Sequence, residues 1–163
     1  MSRPRLLIAE DDEALAALLD EYLSSAGYDI TLCHRGDDAL KALEQQHFDV
    51  VLSDIVMPGA SGLEVLQACH EQPSRTVVLL MTAYSGIEDA IQAIEQGAYD
   101  FVSKPFQLPE IRVRLDNATR YQSLLRQWQD LQEAQHPESF VQFTISTSHP
   151  DPAAVRAYGM RGR

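Results

Sequence analysis

Cysteine is scarce in this chain. Cys33 and Cys69 are the only two in 163 residues, and they form neither a Cys-x-x-Cys pair nor a metal-ligand spacing. A disulfide framework is therefore not what stabilises the fold, and a reducing compartment is expected. Positive charge is scarce as well: 13 Lys and Arg against 24 acids leave a formal net charge of -11. Such a surface repels phosphate backbones and anionic lipid, so neither direct nucleic-acid binding nor membrane docking is expected. No apolar run approaches the roughly 18 residues of a membrane span. The apolar stretch in "MSRPRLLIAEDD" is too short for a signal peptide. A cytoplasmic location is the expectation. The five histidines, His34, His47, His70, His136 and His149, lack ligand spacing and read as structural or exposed.

What is present is a regular alternation. Hydrophobic residues make up 45% of the chain, enough for one real core plus an appendage. Short aliphatic runs at Leu6–Ala9, Ile30–Cys33, Val50–Ser53, Thr76–Met81 and Phe101–Ser103 suit buried parallel strands. Helical stretches lie between them. In the first, Leu15, Leu18, Leu19, Tyr22 and Leu23 share a face, and Gly27 stands at a C′-like stop. Ser61 and Ser85 read as N-caps of later helices, and Gly97 as another stop. Five βα units in this length imply an α/β fold with a doubly wound, five-stranded parallel sheet. Ligands of such sheets bind beyond the carboxyl ends of the strands, where the strand order reverses.

Those ends carry chemistry. The first strand runs into Glu10-Asp11-Asp12, the third into Asp54, the fourth into Thr82 and the fifth into Lys104-Pro105. Carboxylates held together repel by several kcal/mol at low effective dielectric, so the cluster calls for a cation or for shifted pKa values. An all-oxygen site with few protein ligands suits Mg²⁺. Thr82 and Lys104 then serve as donors to anionic oxygens. Lys104 precedes a proline, which biases it toward extended geometry and lets it project into the cleft.

The segments "AEDDEA", "SDIVMPG", "MTAYSG" and "YDFVSKPF", in this order and at this spacing, resemble the receiver domain of bacterial two-component response regulators over roughly residues 5 to 120. The resemblance implies a flavodoxin-like (βα)5 fold in which Asp54 accepts a phosphoryl group from a histidine kinase or phosphotransfer protein. It implies Mg²⁺ held by Asp11, Asp54 and the backbone carbonyl of Val56. Glu10 is then the partner behind the ligands, and Asp12 a further ligand or simply the cap of the first helix. Thr82 and Lys104 are expected on the phosphoryl oxygens, and Thr82 with Phe101 as the switch pair. Val56 and Tyr84 flank the path of the water that hydrolyses the phosphoryl group. Pro58 and Gly59 break the chain after Asp54 and leave the Val56 carbonyl free of helical hydrogen bonds.

Such a chain is a signalling phosphoacceptor, not an enzyme acting on others. An aspartyl-phosphate hydrolase needs similar residues, but its nucleophile follows the first strand in an Asp-x-Asp pattern, where this chain has Glu10-Asp11-Asp12. An interaction module that is never phosphorylated has no use for the complete acid, hydroxyl and ammonium set. Residues 3–120 are expected to form the receiver and residues 121–136 a helical extension, with 137–163 a tail of unknown role. Leu108 to Gln135 is compatible with one long helix. Ile111, Leu115 and Ala118 have core spacing along it; Tyr121, Leu124, Trp128 and Leu131 follow at 3,4,3 spacing like a short coiled-coil seam, which suggests a homodimer through this helix. The long final helix also resembles that of receivers preceding a transcription-controlling ATPase.

Overall fold

The computed structural model describes residues 2–72, 75–83 and 87–135. Strands and helices alternate throughout: β1 (Arg5–Ala9), α1 (Glu13–Ser25), β2 (Asp29–Cys33), α2 (Gly36–Gln45), β3 (Val50–Asp54), α3 (Gly62–Glu71), β4 (Val77–Thr82), α4 (Ile87–Glu95), β5 (Asp100–Ser103) and α5 (Leu108–Gln135). The five strands form one parallel sheet in the order β2-β1-β3-β4-β5. The order reverses between β1 and β3, which places a crevice at their carboxyl ends.

The uninterrupted apolar runs follow from burial on both faces. Leu6 and Ile8 of β1 join Val50, Leu52, Leu79 and Met81 on the side covered by α1 and α5. Leu7 and Ala9 join Val51, Val78 and Leu80 on the other side, with Val65, Leu66 and Ala93 from α3 and α4. Each successive residue enters the opposite core layer, as the two-residue period of a strand demands.

Helix ends are where local sequence speaks most clearly. Ser61 caps α3 with a reciprocal capping box: its hydroxyl accepts from the Glu64 amide, and the Glu64 carboxylate accepts from the Ser61 amide. Gly27 has φ of 108°, its N–H donating to the Ser24 carbonyl while Tyr28 N–H donates to Leu23, the two bonds of a Schellman stop. Ser85 lies outside the described residues.

Two expectations need correction. Leu18 is 52% exposed, because the buried stripe of α1 is centred on Ala16, Leu19 and Leu23 and a neighbour of Leu19 is turned about 100° away from it. Thr76 precedes β4 instead of opening it, and its hydroxyl donates to the Phe48 carbonyl at 2.8 Å.

The chain divides into two units, residues 1–124 and 125–163. In the first, Ile111, Leu115 and Ala118 of α5 are fully buried, and Gln122 is nearly so. The Tyr28 hydroxyl, which meets both the Asp116 carboxylate (2.8 Å) and the Thr119 hydroxyl (3.1 Å), fastens α5 to the turn before β2. Tyr99 and Tyr121 pack with ring centres 5.1 Å apart and their planes tilted by 36°. The described part of the second unit is the end of α5, where Trp128 and Leu131 are exposed. His136, His149 and the whole 137–163 tail lie outside the described residues.

Candidate functional site

Parallel strands end in register, so the residues that follow them meet at one rim. Glu10 is fully buried, its carboxylate accepting from the Asp12 amide at 3.0 Å and from Lys104 Nζ at 2.7 Å. Asp54 closes β3 and is 8% exposed. Its Oδ2 takes the same ammonium at 2.7 Å, and its Oδ1 accepts from the Val56 amide at 3.2 Å. Asp11 is exposed beside them, and one carboxylate oxygen from each of Glu10, Asp11 and Asp54 lies within 4.8 Å of the others. One ammonium thus serves two carboxylates, with a third adjacent.

Burial and these hydrogen bonds together shift the proton affinities. Burial pushes the Glu10 carboxyl above its ordinary value, against the hydrogen bonds from Lys104 and the Asp12 amide that lower it. Burial by itself depresses the Lys104 ammonium, but its hydrogen bonds to Asp54 and Glu10 outweigh that and leave its pKa raised. The donor set fits a small hard cation: oxygen ligands only, surplus negative charge, and an exposed Asp11 on the solvent side, where waters would complete the shell of a bound ion.

The other expected residues fall as follows. Asp12 is the N-cap of α1, its carboxylate accepting from the Leu15 amide at 3.2 Å, so it serves the helix. Thr82 ends β4, nearly buried, with its hydroxyl on the Ala83 carbonyl at 3.2 Å and no bond to Asp54 among the described residues. Its carbonyl accepts from the Lys104 amide at 2.7 Å, tying the last two strand ends together. The Lys104-Pro105 bond is cis. Phe101 pairs with Leu80 and is half-buried against the core layer of α3 and α4. Val56 is 76% exposed at the rim, and Gly59 takes a φ of 88° in the turn beyond it. Tyr84 lies outside the described residues. Ser53 was not among the expected site residues; its buried hydroxyl donates to the Asp54 carbonyl at 2.8 Å. A serine inside an apolar strand is the only sign of it in the sequence.

The sequence model of the response regulator receiver domain matches residues 6–116. The chain belongs to that family. Among relatives of this receiver, it is 38% identical over 120 residues to the uncharacterized transcriptional regulatory protein YkoG of Bacillus subtilis, covering 74% of this chain and 53% of that one. To the DNA-binding transcriptional regulator NtrC of Klebsiella pneumoniae it is 37% identical, covering 72% and 25% respectively. The chain thus spans about half, or less, of the length of these curated relatives. Among solved structures, the receiver domain of a putative LuxO repressor protein from Vibrio parahaemolyticus aligns with a TM-score of 0.72 and 29% identity, covering 76% of this chain and 95% of that one. The receiver fold expected from the sequence, a five-stranded parallel sheet with a long last helix, is thereby established.

Proposed function

We propose that this receiver accepts a phosphoryl group on Asp54 from the phosphohistidine of a histidine kinase or phosphotransfer protein, in a Mg²⁺-dependent reaction, and that the change controls a transcriptional output. The observation that carries the reading is the placement of Asp54. It is a nearly buried carboxylate at the end of β3, within 2.7 Å of an ammonium and beside two further acids.

In the proposed reaction an Asp54 oxygen attacks phosphorus in line, the P–N bond to histidine breaks with its electrons returning to the ring, and an acyl phosphate P–O bond forms. Asp11, Asp54 and the Val56 carbonyl would hold Mg²⁺, with Glu10 behind them. When bound there, the cation would supply neutralisation of the charge on the transferring oxygens. The β3 strand and the hydrogen bond from Val56 N–H fix the nucleophile, which is what an in-line approach requires. Lys104 exchanges its contact with Asp54 for one with a phosphoryl oxygen, and the Thr82 hydroxyl leaves the Ala83 carbonyl to do the same. Phe101, half-buried, is the aromatic that follows Thr82 between two positions.

Residues 3–120 are the proposed receiver, 121–136 its helical extension and 137–163 a tail without an assigned role. A cytoplasmic site of action is part of the proposal. No described helix is long and apolar enough to cross a membrane, and the net charge of -11 disfavours nucleic acid as a direct partner. A homodimer through α5 is supported by the exposure of Leu124, and further along the helix of Trp128 and Leu131.

Incubation with acetyl phosphate and Mg²⁺, followed by intact mass, tests the reading. A single phosphoryl addition to the parent, absent in Asp54→Asn, is expected, because an amide is a poor nucleophile. Rapid turnover of the donor without accumulation would favour the hydrolase, and no reaction at all the unphosphorylated module.

A further inference from the structure

The loop that carries the chain from Asp54 into α3 is gripped at two points by glycines. At its far end, the N–H of Gly62 donates to the Ile55 carbonyl at 2.8 Å, and a Cβ there would lie 2.3 Å from the Asp54 carbonyl oxygen. The other grip comes from a different part of the chain. Gly36, the buried first residue of α2, donates its N–H to the Pro58 carbonyl at 3.0 Å. A Cβ at position 36 would stand 1.9 Å from the Ala60 carbonyl oxygen and 2.5 Å from its carbon. The obstacle is backbone, so no side-chain rotation relieves it. Between the two grips lies Val56, whose amide already holds Asp54 Oδ1.

We infer that Gly36 is a positioning residue for the cation site: by letting α2 come into backbone contact with residues 58–60, it fixes the Val56 carbonyl relative to Asp54. The inference rests on the magnesium site proposed above and extends it to a residue that touches neither the metal nor the phosphoryl group. Any side chain at position 36 must push α2 and the loop apart. Displacement of the loop moves a neutral oxygen ligand out of place while leaving the three carboxylates where they are. Affinity for the metal then falls, and the charge that attracts it does not.

The test is titration calorimetry of the full chain with Mg²⁺, comparing the parent, Gly36→Ala and Ala42→Gly. Ala42 lies nearly two turns further along α2, so its replacement weakens the same helix away from the loop. Gly36→Ala is expected to bind Mg²⁺ about 10-fold more weakly or worse, with acetyl phosphate labelling recovered at high Mg²⁺. Ala42→Gly is expected to lower the melting temperature yet bind like the parent. Gly36→Ala binding like the parent, or Ala42→Gly weakened to the same degree, overturns the inference.

Amide hydrogen exchange in the parent keeps the test alive if Gly36→Ala fails to fold. Coupling is reciprocal, so if the Gly36 contact supports Mg²⁺ binding, Mg²⁺ must support the contact and slow exchange of the Gly36 amide. Unchanged exchange in saturating Mg²⁺ overturns the proposal. A parent that binds no Mg²⁺ overturns the metal site itself, a result distinct from a parent that binds and a variant that matches it.

Discussion

Lys104 Nζ lies 2.7 Å from Asp54 Oδ2, and the same ammonium reaches Glu10 Oε1 at 2.7 Å, so one side chain just beyond β5 balances an acid just beyond β1 and another at the end of β3. It occupies the electrostatic role a cation would share. Lys104→Ala therefore has two opposite effects. Leaving the fully buried Glu10 without its donor destabilises the apo protein by about 2–4 kcal/mol in urea unfolding. Removing a competing positive charge tightens Mg²⁺ binding severalfold, and added Mg²⁺ recovers part of the lost stability by mass action. Weaker Mg²⁺ binding in the variant would show that the ammonium organises the ligands instead of competing for them.

Asp11 and Asp12 are adjacent acids with separable jobs. Asp12 caps α1 through the Leu15 amide, whereas Asp11 is exposed and grouped with Glu10 and Asp54. Asp12→Ala should lower stability by about 1 kcal/mol, the usual effect of losing an N-cap, and leave Mg²⁺ affinity near the parent's. Asp11→Ala should leave stability unchanged or raise it, since a repelling charge goes, and cut Mg²⁺ affinity at least 10-fold. Calorimetry and urea unfolding on both variants check this; equal effects on affinity would put both acids on the metal.

The raised pKa of Glu10 makes stability depend on pH in a known direction. Its folded value lies above the ordinary 4.5. Between the two values the native state binds more protons than the unfolded chain, so stability falls as pH rises through that window, and the penalty is fully present above it. Glu10→Gln removes the titration but keeps an acceptor for Lys104. Measured without metal, the variant should gain on the parent as pH climbs from 4.5 toward neutrality. A stability gap that stays constant over that range would show that Glu10 is not held above its ordinary pKa.

The inner strands were legible because they are buried on both faces. Leu6–Ala9 and Val50–Leu52 have no polar interruption, and every residue in them enters a core layer. Helix stops were legible where backbone geometry demands glycine, as at Gly27 and Gly97 with φ near 107°. The acids and Lys104 stood out because charged groups end apolar strands. Less visible was which of them touch. Glu10 and Lys104 are 94 residues apart and meet only through strand order. Leu18 misled because an apolar stripe is wider in sequence than the strip that a sheet can cover. Gly36 gave no sign, since a close backbone approach leaves no mark except the glycine itself.

The extension of α5 bears on association, and the contacts say where to cut it. Ending the chain after Ala118 would remove the Thr119 hydroxyl from Tyr28 and the Tyr121 ring from Tyr99. Ending it after Leu124, at the boundary between the two units, keeps both. That shortened chain should melt like the full receiver, accept phosphate from acetyl phosphate and remain monomeric in light scattering. The full chain should show concentration-dependent association. Finding the full chain monomeric at high micromolar concentration, with and without phosphorylation, would sink the dimerisation role of the helix.

The lifetime of the phosphorylated state decides how long a signal lasts, and Val56 is the described residue best placed to set it. Its side chain is 76% exposed at the rim, while its amide stays on Asp54 Oδ1 two residues back. Tyr84, the second residue expected beside the water path, lies outside the described residues. An isopropyl group has neither donor nor acceptor, so water approaching the phosphoryl group from this side is not oriented for in-line attack. Positioning or general-base help of that kind is worth roughly 10²-fold in rate. Phosphoryl-Asp54 is therefore expected to decay slowly, over minutes to hours. Val56→Asn and Val56→Glu should accelerate the decay at least severalfold, because each places a polar group where the exposed Val56 side chain now stands. Neither change touches the Val56 amide or carbonyl, so phosphorylation itself should persist. The phosphorylated mass peak is followed after removal of acetyl phosphate. Decay within seconds in the parent, or variants that decay no faster, would show that the rim side chain at position 56 does not control access of water.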